Sequence, residues 1–221
     1  MKVSMTMNNP TKTPVPMTDT RWISQPDAKI PESIEGLIFD LDGTLLDTMT
    51  VHYHAWLMAL TDTNIVFPES RFYALAGTPT QKIASILCAE HGRSDAAALA
   101  HAKEQNFLTR LPETKPVLPV VALARRELGH RKLAVASGGT RAVVTQELAL
   151  IGMENFFPVV VCADDVRHGK PAPDTFLEAA RRMGVVPQHC AVYEDAELGF
   201  QAAKAAGMYA VDVRPWYVPR Q

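Results

Sequence analysis

Five short apolar runs limit what this chain can fold into more than any other feature. They are "GLIF" into Asp40, "KLAVA" into Ser137, "PVVVCA" into Asp164, "CAVY" into Glu194-Asp195 and "YAVDV" into Arg214. Each is continuously apolar, the mark of a strand covered on both faces rather than one. Between the later runs lie "TRAVVTQELALIG", "APDTFLEAARRMG" and "ELGFQAAKAAG". All three are helical in pattern and end at a glycine, as helix C-termini often do. Strand-helix-strand alternation closes as a parallel sheet with right-handed crossovers. The expected fold class is α/β, with helices on both faces of the sheet.

Two intervals depart from that alternation. From Thr48 to Pro112 there is no strand-like run. "TMTVHYHAWLMAL", "ESRFYALAG", "PTQKIASILCAEHG" and "SDAAALAHAKEQNFLTRL" predict four helices joined by short turns. That is too much for one crossover, so residues 48–112 are expected to form an inserted helical subdomain, with 33–47 and 113–221 forming the sheet domain. Residues 1–32, rich in Thr, Pro, Asn and Met, lack periodicity and are expected to be mostly irregular, with Trp22 and Ile23 as possible anchors.

With 221 residues, 21% charged and a net charge of -2, the chain has no basic excess that would suggest a nucleic-acid partner. No apolar run approaches membrane-spanning length, and the N-terminus lacks the apolar core of a secretory signal. Cys88, Cys162 and Cys190 are odd in number and widely spaced, matching neither a disulfide framework nor a zinc site. Reduced thiols in a soluble cytoplasmic protein are the expectation.

The chemistry lies at the strand ends. Ligands of open parallel sheets bind outside the carboxyl ends of the strands, so Asp40, Ser137, Asp164 and Glu194-Asp195 are expected at one rim. In "GLIFDLDGTLLDT" a second acid, Asp42, follows Asp40 before a Gly-Thr turn. Carboxylates so close repel; a cation, a solvated loop or chemistry needing both would compensate. Asp40, Asp42 and Asp195 suit a hard divalent cation, Mg2+ being the natural choice because a phosphate oxygen completes its shell. Lys170, in "GKPAPD", offers a fixed ammonium, Ser137 a hydroxyl, and Gly138-Gly139 backbone N–H groups. Such a set suits a transferring phosphoryl group. Asp40 on the strand end is then the expected nucleophile. Asp42 is the expected acid/base, which requires its pKa to be raised by its neighbours.

"DLDGTLLDT", "SGG", "GKPAPD" and "YEDAELGFQAAKAAGM" together, in this order, resemble the four motifs of the haloacid dehalogenase superfamily, from about Glu35 to Arg214. The resemblance implies a Rossmann-like core and a mobile helical cap over the site. It implies Mg2+ held by the Asp40 side chain, the Asp42 backbone carbonyl and Asp195, with Glu194 in the outer shell. Ser137 and Lys170 would bind the phosphate.

"HYHAWLMAL" with "LAGTPTQKIASIL" is similar to the branch that holds β-phosphoglucomutase and sugar-phosphate phosphatases. That similarity puts Thr48, His52, Trp56, Gly77, Thr78 and Lys82 near the sugar, with Gly138 and Gly139 facing them. Asp47-Thr48 also reads as an ordinary N-cap with a hinge role, and Trp56 as ordinary subdomain core. The positions that grip a second phosphate in the mutase appear here as Thr80 and Gly139-Thr140, which lack its cationic contacts. A monomeric Mg2+-dependent phosphatase of small hexose or hexitol phosphates is expected, with fructose 1-phosphate foremost. Because Lys82 or Arg141 could substitute, a mutase interconverting β-glucose 1-phosphate and glucose 6-phosphate is the alternative. A binding-only module would be expected to lack one of the three acids, and a nucleotide-dependent transferase would need a GxxxxGK[ST] loop that is absent.

Overall fold

The computed structural model describes residues 24–217. Its centre is a five-stranded sheet built from β1 (Gly36–Phe39), β4 (Lys132–Ala136), β5 (Val159–Val161), β6 (Cys190–Glu194) and β7 (Tyr209–Asp212). The spatial order is β5-β4-β1-β6-β7, and every neighbouring pair is parallel. This is a Rossmann-like α/β fold. The chain passes from β1 to β4 on one side and later to β6 on the other, which opens a crevice at the end of β1.

The unbroken apolar runs follow from this burial. Leu37 and Phe39, with Leu133, Val135 and Tyr193, face one core, covered by α5 (Leu118–Glu127) and α6 (Arg141–Leu150). Ile38, Ala134, Ala136, Cys190 and Val192 face the other, under α7 (Asp174–Met183) and α8 (Glu197–Ala205). Phe39 stacks on Tyr193 with ring centroids 4.8 Å apart. The three helices expected to end at glycine do so, at Gly152, Gly184 and Gly207, with φ of 64°, 69° and 71°.

Between β1 and β4 the chain leaves through β2 (Leu46–Asp47) and returns through β3 (Lys115–Pro116), which pair antiparallel. The intervening residues form α1 (Met49–Ala59), α2 (Glu69–Ala74), α3 (Thr80–Glu90) and α4 (Ala96–Arg110). These four helices have their own core, including Trp56, Phe67, Phe72, Ile83, Leu87 and Leu99. A separate seam of Val51, Ala55, Phe107 and Leu111 against Val143 of α6 joins them to the sheet domain.

The β2/β3 pair and α5 were not foreseen. The two strands are two residues each, and α5 begins behind a proline-rich stretch whose Pro119 sits in the first turn, where its missing N–H costs nothing. Much of the expected irregular extension, with Trp22 and Ile23, lies outside the described residues. Its end is anchored: Arg131 donates to the carbonyls of Ile30 (Nη2, 2.9 Å) and Ile34 (Nε, 2.9 Å), and both isoleucines are buried. Among the described residues, no helix is long and apolar enough to cross a membrane.

Candidate active site

Two adjacent strand ends, those of β1 and β6, bring the acids together. Asp40 follows β1, and its N–H donates to the Tyr193 carbonyl at 3.0 Å. Lys170 enters from the loop before α7 and is almost wholly buried. Its Nζ donates to Asp40 Oδ1 at 2.5 Å and also to Glu194 Oε1. The other Glu194 oxygen accepts the N–H groups of Asp195 and Ala196, both at 2.8 Å. Glu194 therefore fixes both the lysine and the turn that carries Asp195. At Gly43 φ is +79°, and a Cβ there would lie 2.1 Å from Asp195 Oδ2, so only glycine permits this turn. Ser137, after β4, accepts the Gly139 N–H on Oγ at 2.9 Å. A Cβ on Gly138 would stand 2.9 Å from the Gly77 carbonyl, so rim and insert meet there backbone to backbone.

Asp42 is held from the other side. Its Oδ1 accepts the Thr48 hydroxyl at 2.6 Å and lies 2.7 Å from His52 Nε2. His52 Nδ1 is 2.7 Å from Nζ of Lys103, which also donates to Thr80 Oγ1 at 3.3 Å. The imidazole stacks on Phe107 at 3.8 Å, which fixes its plane. A lysine can only donate, so Nδ1 accepts and Nε2 carries the proton that bonds Asp42. The result is a chain of donors, Lys103 to His52 to Asp42, crossing from α4 through α1 to the sheet rim.

The electrostatics invert one expectation. Burial pushes Asp40 up to about 8; Lys170 opposes this, while Glu194 and Asp42 add to it. Asp42, expected to be raised, is instead held well below the usual carboxylate range. Burial works against its charge, but His52 and the hydrogen bonds from His52 and Thr48 outweigh burial. Burial, then the adjacent ammonium of Lys103, keep His52 low and neutral, despite Asp42. Burial draws Lys103 down to about 8. Lys170 stays above its usual value: burial opposes its charge, but Asp40 and Glu194 prevail.

The rim acids fit a hard cation. Asp40, Glu194 and Asp195 each bring a carboxylate oxygen within 4.8 Å of the others, and Lys170 pairs with the first two. Asp195 is pushed well up, first by burial and then by Glu194 and Asp40, a sign of negative charge not yet offset. Oxygen donors in this number suit Mg2+.

A pocket lies between rim and insert. Asp40, Asp42, Asp195, His52, Trp56, Gly77, Thr78, Gly138 and Gly139 line it, as do Thr80, Thr140, Lys103 and Glu104. Trp56 is both wall and subdomain core, being 1% exposed. Two expected sugar contacts are elsewhere. Thr48 is fully buried and turned to Asp42; as N-cap of α1 it makes no side-chain cap bond, because its hydroxyl is already used. Lys82 is exposed on α3 and does not line the space. Arg141 is drawn to Asp165, and Asp164 accepts its backbone N–H at 2.6 Å.

The chain from Ile34 to Gly207 matches the model of the haloacid dehalogenase-like hydrolases. The chain belongs to this family. It is 44% identical over 184 residues to fructose-1-phosphate phosphatase YqaB of Escherichia coli (strain K12), covering 83% of this chain and 98% of that one. It is 29% identical to the β-phosphoglucomutase of Bacillus subtilis (strain 168), covering 81% and 83%. Among solved structures, a hydrolase from Pseudomonas syringae superposes with a TM-score of 0.74 at 28% identity, over 83% of this chain and 86% of the other.

Within this haloacid dehalogenase-like hydrolase, Lys103, Glu104 and Glu147 line or support the site without having been anticipated. Two of them had a readable signal. Lys103 sits on the buried stripe Leu99, Ala100, Lys103, Phe107, and Glu147 on Val143, Val144, Glu147, Leu148. A charge on an apolar stripe at helical spacing must have a buried partner. Glu147 lies close to Asp42 and His52, burial and Asp42's charge push its carboxyl well up, and neither of its oxygens has a hydrogen-bond partner among the described residues.

Proposed function

We propose that the chain releases phosphate from small phosphorylated sugars, fructose 1-phosphate foremost, through an aspartyl-phosphate formed on Asp40. The chain is a phosphoric monoester hydrolase of its family; the substrate, the covalent intermediate and the use of Mg2+ are the proposal. Mg2+, held by Asp40, Asp195 and the Asp42 carbonyl, would offset charge on the phosphoryl group and lower the proton affinity of Asp40. Lys170 orients Asp40 and neutralises an equatorial oxygen, while the Ser137 hydroxyl donates to another.

Asp42 rests ionised. A phosphate dianion arriving beside it raises its proton affinity, so that it can take up a proton and pass it to the leaving sugar oxygen. Once the sugar departs, Asp42 is again a base, aligned by Thr48 and His52 to deprotonate the attacking water. Residues 48–112 act in this reading as a cap whose helices close the site through the Gly77–Gly138 contact.

The observation that carries hydrolysis over mutase chemistry is the lining of the pocket. Apart from His52, Lys103 is the one basic side chain among the described lining residues, and it is committed to His52 and Thr80. Nothing there is free to grip a second phosphate. The relative named for fructose 1-phosphate supports the sugar choice. The reading takes the enzyme as a cytoplasmic monomer, in keeping with three unpaired, buried cysteines. A panel of sugar monophosphates assayed for phosphate release, with and without Mg2+, tests it. Mg2+-dependent turnover highest on fructose 1-phosphate is expected; isomerisation of glucose phosphates without phosphate release would overturn it.

A further inference from the structure

The pocket has two ends of different character. At the rim, Lys170 beside Asp40 marks the end that takes the phosphoryl group. On the insert side, Glu104 of α4 lines the space, as does Thr140, the N-cap of α6. Glu104 is half-buried, and among the described residues no ion pair or hydrogen bond engages its carboxylate. Met49, Trp56, Phe72, Ile83 and Val143 supply the apolar walls. Low-dielectric walls strengthen a carboxylate's field within the space they enclose. The charged groups that act on Glu104 are Lys103, His101 and Asp164; Lys103 is already engaged, and Asp164 is of like sign.

We infer that Glu104 determines specificity: it accepts hydrogen bonds from the hydroxyls of a neutral polyol leaving group and turns away substrates bearing a second anion. A hydroxyl is a good donor to a carboxylate. A second phosphate or a carboxylate at the same point meets like charge, His101 is exposed and does not line the space, and the basic residues among the described lining, His52 and Lys103, are engaged with each other. The inference rests on the preceding reading only in placing the phosphoryl group at Asp40, and not on which sugar is bound.

Two ester pairs test it: fructose 1-phosphate against fructose 1,6-bisphosphate, and 4-nitrophenyl phosphate against 4-carboxyphenyl phosphate. Specificity constants are measured for the wild type, Glu104→Gln and Glu104→Lys. The ratio within each pair cancels any general loss of activity or of folded protein. The wild type is expected to favour the member without the second anion by about tenfold or more. That ratio should fall about tenfold in Glu104→Gln and further in Glu104→Lys. If fructose 1-phosphate is inert while the aryl pair behaves as described, the sugar assignment falls and the role of Glu104 stands. Equal ratios in all three proteins overturn the role of Glu104, whatever sugar is hydrolysed. A wild type that turns over none of the four esters overturns both.

Discussion

The sheet rim and the insert wall face each other across one pocket but are built on different principles. At the rim, Asp40, Ser137 and Asp195 are placed by three adjacent parallel strands, and each is fixed further by a hydrogen bond that involves the backbone, Asp40 to Tyr193 across the sheet and the other two within their own turns. On the insert side, His52, Lys103 and Glu104 come from helices that meet through their side chains, such as His52 on Phe107 and Lys103 on His52. The rim is specified by turns, and the wall by apolar stripes. The lesson is that the reacting end of the molecule can stay constant while the selecting end varies. Changing a wall residue alters a helix face, whereas changing a rim residue breaks a turn.

If the division is right, substitutions at the two ends should fail in different ways. Asp40→Asn should produce the largest loss, about 10⁴-fold or more in kcat, as removal of a nucleophile does. It should also stabilise the metal-free protein. Asp40 is raised from 3.8 to about 8, so its contribution to stability is present at acid pH and lost as pH rises through that window. Melting of the metal-free variant at pH 8 should therefore be higher than that of the wild type; an equal or lower value would contradict the buried, raised carboxyl.

Lys170→Met should come next, and through stability as well as activity. It leaves Asp40 and Glu194 buried without their ammonium, at a cost of about 3–5 kcal/mol. Urea unfolding measures this, and a loss under ~1 kcal/mol would mean that the rim does not depend on the lysine.

Lys103→Met tests the other end. Loss of the donor to His52 should reduce kcat by about 10²-fold, while stability near neutral pH should not fall, since burial costs this ammonium more than its contacts return. The wild type should gain stability as pH rises from about 8 to 10.5, the interval in which only the unfolded lysine stays protonated, and the variant should not. Thermal melts across that range decide it.

Lys82→Ala should do least, changing kcat/KM by less than about twofold, because the side chain points away from the pocket and isolated surface changes seldom matter. A larger drop would restore Lys82 as a substrate contact and with it the case for a mutase.

The same division explains what could be read from the sequence. The five parallel strands and the acids at the ends of β1 and β6 were legible, because an unbroken apolar run ending in Asp-x-Asp-Gly leaves few conformations open. Glu194 was legible as an acid but not as the clamp on Lys170, since that pairing joins a loop residue to a strand end 24 residues further on. Asp42 was found, but its ionisation was misjudged. The donors that hold it charged, Thr48 and His52, lie on or before a helix whose packing against α4 sets their direction. Lys103 and Glu147 were visible only as charges out of place on apolar stripes, a pattern that names a buried partner without saying which one.

The most direct measurement is the position of the phosphoryl group during turnover. Enzyme mixed with fructose 1-phosphate and Mg2+, quenched in acid within one turnover and digested, should carry the phosphate mass on the peptide containing Asp40, and nowhere in the Asp40→Asn variant. Phosphate mass on any other residue, or none during a turnover that still releases phosphate, would contradict covalent catalysis at this strand end.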